Sequence, residues 1–189
     1  MNIKHIFIKD RNVCPFIKYL KRTKGKEYLT GAEIGVYRGY NAKGILDNLN
    51  IKKLYLIDPY SSYDNYDDGF GEHISNDEHI FNYKSARMLL IKYFNKIKFI
   101  KDFSENAVDK IPDNLDFVYI DGNHKYEYVL SDIYHYLSKV KHGGVLGGDN
   151  YEEKFNDVIL AVDKFIGDNN FVLHEELGYW WINKLQFEG

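Results

Sequence analysis

Three nearly uninterrupted apolar runs in this chain each stop at an aspartate: Leu54-Tyr55-Leu56-Ile57-Asp58, Phe117-Val118-Tyr119-Ile120-Asp121 and Val145-Leu146-Gly147-Gly148-Asp149. Runs this short and this apolar are what strands of a parallel sheet look like when helices cover both faces. Ligands of such sheets bind at the carboxyl ends of the strands. An acid placed where a buried strand meets its loop can receive a hydroxyl, a cation or a metal without being sealed in apolar core.

The rest of the chain supports that layout. Strand-like runs at residues 32–36, 53–58, 98–101, 115–121 and 144–149 alternate with amphipathic stretches at 41–49, 79–95, 104–110 and 126–140. In the last stretch, Tyr126, Val129, Leu130, Ile133 and Leu137 recur at helical spacing. Alternation of this kind predicts an α/β fold with a parallel sheet. After a helix-like segment at 155–166, two further strand-like runs, 171–175 and 179–183, are separated by little more than Leu177-Gly178, too short for a parallel crossover. They should pair as an antiparallel hairpin, giving a seven-stranded mixed sheet.

Composition bounds the function. A chain of 189 residues that is 44% hydrophobic can bury one substantial core, so a single domain spanning 1–189 is expected, with 1–30 as an N-terminal extension. A net charge of −3 provides no general basic field, which argues against nucleic acid as a partner. Lysine runs at 18–22 and 92–98 read as solvated helix faces. The single cysteine, Cys14, rules out an intramolecular disulfide and a cysteine-based zinc cluster, and is expected as a buried apolar thiol. No run approaches the ~20 apolar residues of a membrane span and residues 1–10 lack a leader-like core, so a cytoplasmic protein with no membrane partner is expected. Residues 59–76, rich in Tyr, Asp, Ser and Gly, form one long irregular segment. Loops of that length in compact domains are usually functional or mobile, so this one is expected to be a lid or substrate loop, with a flexible acidic loop as the plain alternative. His73 and His79 are expected to face solvent or to belong to that lid.

Between the first strand and the first helix lies Glu33-Ile34-Gly35-Val36-Tyr37-Arg38-Gly39. Glycines there let the backbone turn tightly and approach a ligand. The dinucleotide fingerprint Gly-x-Gly-x-x-Gly is missing, so a pyrophosphate is a poor fit, whereas a nucleoside with an amino-acid tail remains open. Asp58 is placed to accept hydrogen bonds from both hydroxyls of a ribose. The plainer reading is that the glycines shape a turn and Asp58 caps the next segment. A nicotinamide-dependent oxidoreductase would share the layout and Asp58 but needs the absent fingerprint. A metal-dependent hydrolase would not need Gly35, Gly39 and Asp58 together. A non-catalytic binding protein would keep the fold with an idle pocket.

Taken in order, Glu33-Ile34-Gly35 with Gly39, Tyr55-Leu56-Ile57-Asp58, Asp116 to Asp121 with Gly122-Asn123-His124, and Gly143-Gly144 leading to Asp149 resemble the class I S-adenosyl-L-methionine-dependent methyltransferases. The resemblance is strongest to the small metal-dependent O-methyltransferases of the macrolide-sugar type and covers roughly residues 31–183. It implies a Rossmann-like mixed sheet ending in an antiparallel strand. It places the Glu33, Gly35 and Gly39 motif near the methionine part of the cofactor, Asp58 at the ribose, and Asp102, Phe103 and Ser104 near the adenine, with Asp121 also bordering the cofactor.

Asp121 and the pair Asp149-Asn150 end two strands expected to be neighbours. Two carboxylates and an amide oxygen there would offer hard ligands to Mg²⁺ or another divalent cation, and metal-dependent relatives hold their ion at these positions. The plain alternative is that the acids cap turns and Asn150 opens a loop. His124 can be neutral near pH 7 and can accept a proton. In the sugar-methylating relatives a histidine here resembles a general base. His124 and Asp121 are therefore the expected catalytic residues, with Lys125 in reserve. Ordering a metal ligand or capping the next helix are the other roles open to His124. The expected reaction is methyl transfer from S-adenosyl-L-methionine to a hydroxylated small molecule, a sugar or glycosylated metabolite among the candidates. Part of the acceptor pocket is expected from the 59–76 loop or from a second subunit of a homo-oligomer.

Overall fold

The computed structural model describes residues 13–61 and 74–185. Seven strands form one sheet in the order β3-β2-β1-β4-β5-β7-β6. They are β1 (Leu29–Ile34), β2 (Ile51–Ile57), β3 (Ile97–Ile100), β4 (Leu115–Ile120), β5 (Val140–Gly148), β6 (His174–Glu176) and β7 (Tyr179–Asn183). The first five pair in parallel; β7 pairs antiparallel with both β5 and β6. The turn between β6 and β7 places Leu177 at φ 54° and Gly178 at φ 80°. Two successive left-handed residues are what a tight hairpin turn demands, and the expected hairpin forms there. Its first strand starts at His174, three residues later than the sequence suggests.

Six helices cover the two faces: α1 (Pro15–Lys24), α2 (Tyr40–Asn48), α3 (Asn76–Leu89), α4 (Ser104–Ala107), α5 (Tyr126–Lys139) and α6 (Asn156–Asn169). Side chains of α1, α2 and α3 join one apolar cluster with Phe117, Tyr119 and Trp181; those of α4, α5 and α6 join another with Val118, Ile120 and Trp180. Adjacent strand residues point to opposite faces, so Trp180 and Trp181 each anchor a different layer. Every residue of β4 is buried, the consequence of a central strand covered on both sides. Its one acid, Asp116, is buried with the rest and finds its partners at the far end of the sheet, where Oδ2 accepts from Thr30 N (2.6 Å) and Oδ1 pairs with Lys141 Nζ (2.5 Å).

The N-terminal extension contains α1, the helix expected from its lysine run, with an apolar stripe beside the lysines. Phe16, Ile17 and Leu20 are buried against the sheet, with the Phe16 ring 5.1 Å from that of Tyr119. Each such side chain stabilises the fold by ~1.5–3 kcal/mol, enough to dock a ten-residue helix that would not persist alone. The second lysine run is not a helix face throughout: a 3-10 turn at Ile91–Tyr93 leads into β3. No helix among the described residues is long and apolar enough to cross a membrane.

The strand order reverses between β1 and β4, which are neighbours although their following helices lie on opposite faces. A crevice opens at such a point, beyond the carboxyl ends of the strands.

Candidate active site

That crevice holds a cavity lined by Gly35, Tyr37, Asp58, Tyr60, Ser104 and Asp121, closed on the α3 side by His79 and Asn82 and on the β4 side by Gly122 and Asn123. A smaller cavity next to it, toward β5, is lined by Asp121, His124, Asp149 and Trp180. Asp121 belongs to both. The three strand-ending aspartates therefore border two neighbouring cavities, Asp58 the larger, Asp149 the smaller and Asp121 both.

The glycine turn is built by contacts within the fold. At Gly35 (φ 81°) a Cβ would lie 1.8 Å from the carbonyl oxygen of Asp121, so only glycine lets the end of β1 pass so close to the end of β4. Gly39 (φ 80°) opens α2, and a Cβ there would meet Leu90 and Ala86. Gly39 faces the helix layer and does not line the cavity. Arg38, between them, ties the turn to α3: Nε donates to Asn82 Oδ1 at 2.8 Å and the guanidinium sits over the rings of Tyr37 and Phe81.

Asp58 closes the turn from the end of β2. Its Oδ2 accepts from Val36 N (2.9 Å) and Tyr37 N (2.8 Å), and its Oδ1 from Tyr60 N (2.7 Å). Burial pushes the carboxyl above its usual range, and these N–H donors pull it back toward the charged form. A carboxylate offers about four acceptor positions, so after three backbone bonds Asp58 can take one ligand hydroxyl rather than the two expected.

Glu33 is buried behind the turn. Oε1 accepts from Asn41 Nδ2 at 3.2 Å, and Oε2 has no partner. Burial, with Asp121 and Asp58 nearby, raises its carboxyl well above the ordinary range. Of the trio at the end of β3, only Ser104 lines the cavity. The Asp102 carboxylate turns outward, accepting from Phe103 N (2.8 Å) and Asn106 Nδ2 (3.2 Å) and pairing with Lys110, which holds it below the usual carboxylate range. Phe103 is the residue before α4 and does not line the cavity.

On the β5 side, His124 Nε2 lies 3.6 Å from Asp121 Oδ1, and the imidazole packs 4.8 Å from the Phe155 ring. Both ring nitrogens are buried without a hydrogen-bond partner. Asp149 Oδ1 accepts from Asn150 N at 2.8 Å, and Asn150 itself is left-handed (φ 65°). No three His, Cys, Asp or Glu side chains among the described residues are arranged to hold a metal. Two carboxylates on adjoining strands are nevertheless hard-oxygen donors of the number that Mg²⁺ commonly takes from a protein, the remainder being waters and substrate oxygens. The donor chemistry thus suits Mg²⁺ and does not suit a closed zinc-type site.

Some site residues were not read from sequence. His79, expected to face solvent or a lid, is 9% exposed and lines the cavity with Asn82, one helical turn on. Asn82 is 1% exposed, and its Nδ2 has no partner. Their spacing of three along α3 was the available signal. Tyr60 joins them, its ring tilted against that of Tyr83 with centroids 4.8 Å apart. Most of the expected lid, residues 62–73 and His73 among them, lies outside the described residues.

Known proteins share the domain and the fold. The uncharacterized protein R132 of Acanthamoeba polyphaga mimivirus is 29% identical over 154 residues, which are 80% of this chain and 66% of that protein. Solved structures share the fold at lower identity. The O-methyltransferase NovP is 17% identical with a TM-score of 0.64, over 90% of this chain and 76% of that one. The Podospora anserina methyltransferase PaMTH1, solved with SAH bound, is 14% identical with a TM-score of 0.65, over 90% and 77%. An O-methyltransferase from Bacillus cereus in complex with SAH is 13% identical with a TM-score of 0.61, over 92% and 83%. Residues 32–151, from the middle of β1 to just past Asp149 and Asn150, match the methyltransferase domain, and the chain belongs to that family.

Proposed function

We propose that this chain transfers the methyl group of S-adenosyl-L-methionine to a hydroxyl of a small molecule, a sugar or glycosylated metabolite of the kind methylated by macrolide-sugar O-methyltransferases, with help from a divalent cation. The observation that carries the reading is the junction at Asp121: one cavity contains Gly35, Asp58 and Ser104, and the next contains His124 and Asp149. A cofactor filling the first would direct its methyl toward the second. Two of the solved relatives hold SAH, which supports the cofactor.

In this reading Asp58 accepts one ribose hydroxyl with its remaining Oδ1 position, and the turn it braces borders the methionine part. Ser104 borders the adenine. Asp121, Asp149 and Asn150 would hold the cation, which when bound lowers the pKa of an acceptor hydroxyl. His124 takes that proton as the acceptor oxygen bonds to the methyl carbon and the carbon–sulfur bond breaks, its unpartnered ring nitrogens leaving it free to accept. The electron pair of the broken bond stays on sulfur, so the product is S-adenosylhomocysteine. The net charge of −3, which supplies no general basic field, supports a small-molecule acceptor over a nucleic acid.

Calorimetry with S-adenosylhomocysteine and, in parallel, NAD tests the reading. Binding of the first and not the second is expected. Failure of well-folded protein to bind S-adenosylhomocysteine would overturn it, and binding of NAD instead would favour an oxidoreductase.

A further inference from the structure

A second carboxylate, away from the strand ends, bears on the same cavity from behind. Asp132 sits in the middle of α5 and is 3% exposed. Its neighbours on that stripe of the helix are Val129, Ile133 and Tyr136, all buried apolar or aromatic groups. An acid at such a position needs hydrogen-bond partners in the interior. The Ser104 side chain lies near enough to act on the carboxyl as a donor. One helical turn on, the Tyr136 hydroxyl donates to the Ser104 carbonyl oxygen at 2.8 Å. Asp132 and Tyr136 thus grip the first residue of α4 by its side chain and its backbone. On its other side Asp132 abuts the loop after β4: a Cβ built on Gly122 would lie 3.7 Å from Asp132 Oδ2.

Ser104 and Gly122 both line the larger cavity and follow different strands, β3 and β4. Asp132 lines neither cavity and neighbours both residues. We propose that Asp132 is a positioning residue of the cofactor site, setting the distance between the Ser104 wall and the Gly122-Asn123 wall through its contacts with both. This rests on reading the cavity as the cofactor site. A purely space-filling role would suit an apolar side chain of similar size better, since that would bring no charge into the core; such a side chain would, however, offer Ser104 no acceptor. Burial indeed pushes the carboxyl up to about 7, with Glu105 adding to the rise and the Ser104 hydrogen bond opposing it.

The test compares wild type with Asp132→Ala, Asp132→Asn, Ser104→Ala and the Asp132→Ala/Ser104→Ala pair. Two readouts are used: affinity for S-adenosylhomocysteine by calorimetry, and amide hydrogen exchange with no ligand. Asp132→Ala should weaken binding about tenfold, a loss of the size expected for one misplaced polar contact. Asp132→Asn, which keeps an acceptor for the Ser104 hydroxyl, should restore most of the affinity. The double variant should be no weaker than Asp132→Ala alone, because both substitutions cut one link. Exchange should quicken in both loops, residues 102–104 and 121–123, while β1 and β5 stay protected. Unchanged affinity in folded Asp132→Ala, or additive losses in the pair, would overturn the proposal. Should Asp132→Ala not fold, Ser104→Ala decides alone: it cuts the link without touching α5, and unchanged exchange at 121–123 would overturn the positioning role. If wild type binds no S-adenosylhomocysteine, the cofactor reading falls, and the exchange data still decide whether Asp132 couples the two walls.

Discussion

Asp58 reaches from the end of β2 to the backbone of Val36, 22 residues earlier, and holds the turn after β1 by a 2.9 Å hydrogen bond to its amide. The same carboxylate accepts from Tyr37 N and Tyr60 N, so the acid proposed to meet the ribose is also the clamp that shapes the cofactor turn. Asp58→Ala should therefore lose on two counts. Three backbone donors would be left without their acceptor, costing ~1–3 kcal/mol each where water cannot replace it, and cofactor affinity should fall as well. Thermal unfolding and S-adenosylhomocysteine titration check this together. A variant that loses affinity at unchanged Tm would show that the clamp contributes nothing.

His124 should behave in the opposite way. Its ring nitrogens make no hydrogen bond that a substitution would break, Nε2 lying 3.6 Å from Asp121 Oδ1, and the imidazole packs on Phe155. His124→Gln is expected to leave Tm and cofactor affinity nearly unchanged while kcat falls by roughly 10²–10⁴, the range for a lost general base. Single-turnover kinetics with saturating cofactor measure this. A kcat within twofold of wild type would remove His124 from the proton transfer.

The strands were legible because each is a local pattern: a buried parallel strand must be apolar throughout, and the acid that stops it marks the edge of the sheet. The hairpin was legible from Leu177-Gly178 for a similar reason, since two residues can connect only antiparallel strands. What stayed hidden depends on partners distant in sequence. The bonds from Asp58 to the turn join elements more than 20 residues apart, and no local pattern announces them. The helix of α1 was legible from its lysine run, whereas its apolar stripe of Phe16, Ile17 and Leu20 was not read as core, although it keeps helical spacing. Asp132 carried a readable signal, since it falls on the apolar stripe of Val129, Ile133 and Tyr136 rather than on the polar face. Asp102 misled in the other direction. It sits at the expected strand end, but Lys110, eight residues on, draws it toward solvent.

Asp149 separates the metal reading from the cofactor reading better than Asp121 does, because Asp121 borders both cavities and Asp149 only the smaller. Treatment with EDTA should abolish turnover, and Mg²⁺ should restore it. Asp149→Asn, nearly isosteric but with half the charge donors lost, should reduce that Mg²⁺-restored rate by at least about 10²-fold with S-adenosylhomocysteine affinity held. Turnover that resists EDTA would sink the metal assignment while leaving methyl transfer intact.

Gly35 gives a steric prediction. A methyl group at this position would overlap the Asp121 carbonyl at 1.8 Å, and the residue would also have to hold φ 81°. The left-handed backbone alone costs an alanine about 1–2 kcal/mol, and the overlap forces β1 and β4 apart at their ends. Gly35→Ala should thus destabilise by roughly 3 kcal/mol or more and abolish cofactor binding in whatever protein remains folded. Chemical denaturation provides the stability; an Ala variant as stable as wild type would mean that the turn after β1 does not approach Asp121 this closely.

The carboxyl of Asp132 yields a prediction in which pH sets the sign. Burial raises it from the ordinary range to about 7 in the folded protein, whereas in the unfolded chain it titrates near 4. Between those values the folded state holds the proton more tightly, so stability falls as pH rises through this window and stays reduced above it. The deficit approaches ~4 kcal/mol once the group is charged in both states, three pKa units at about 1.4 kcal/mol each. Asp132→Asn removes the titration. It should be close to wild type in stability at pH 4 and progressively more stable than wild type up to pH 8, its Tm leading by several degrees there. The same substitution keeps most of the cofactor affinity, so a gain in stability at pH 8 without a matching gain in binding is the expected signature. A Tm difference that is equal at pH 4 and pH 8 would show that Asp132 carries its charge in the core at no cost.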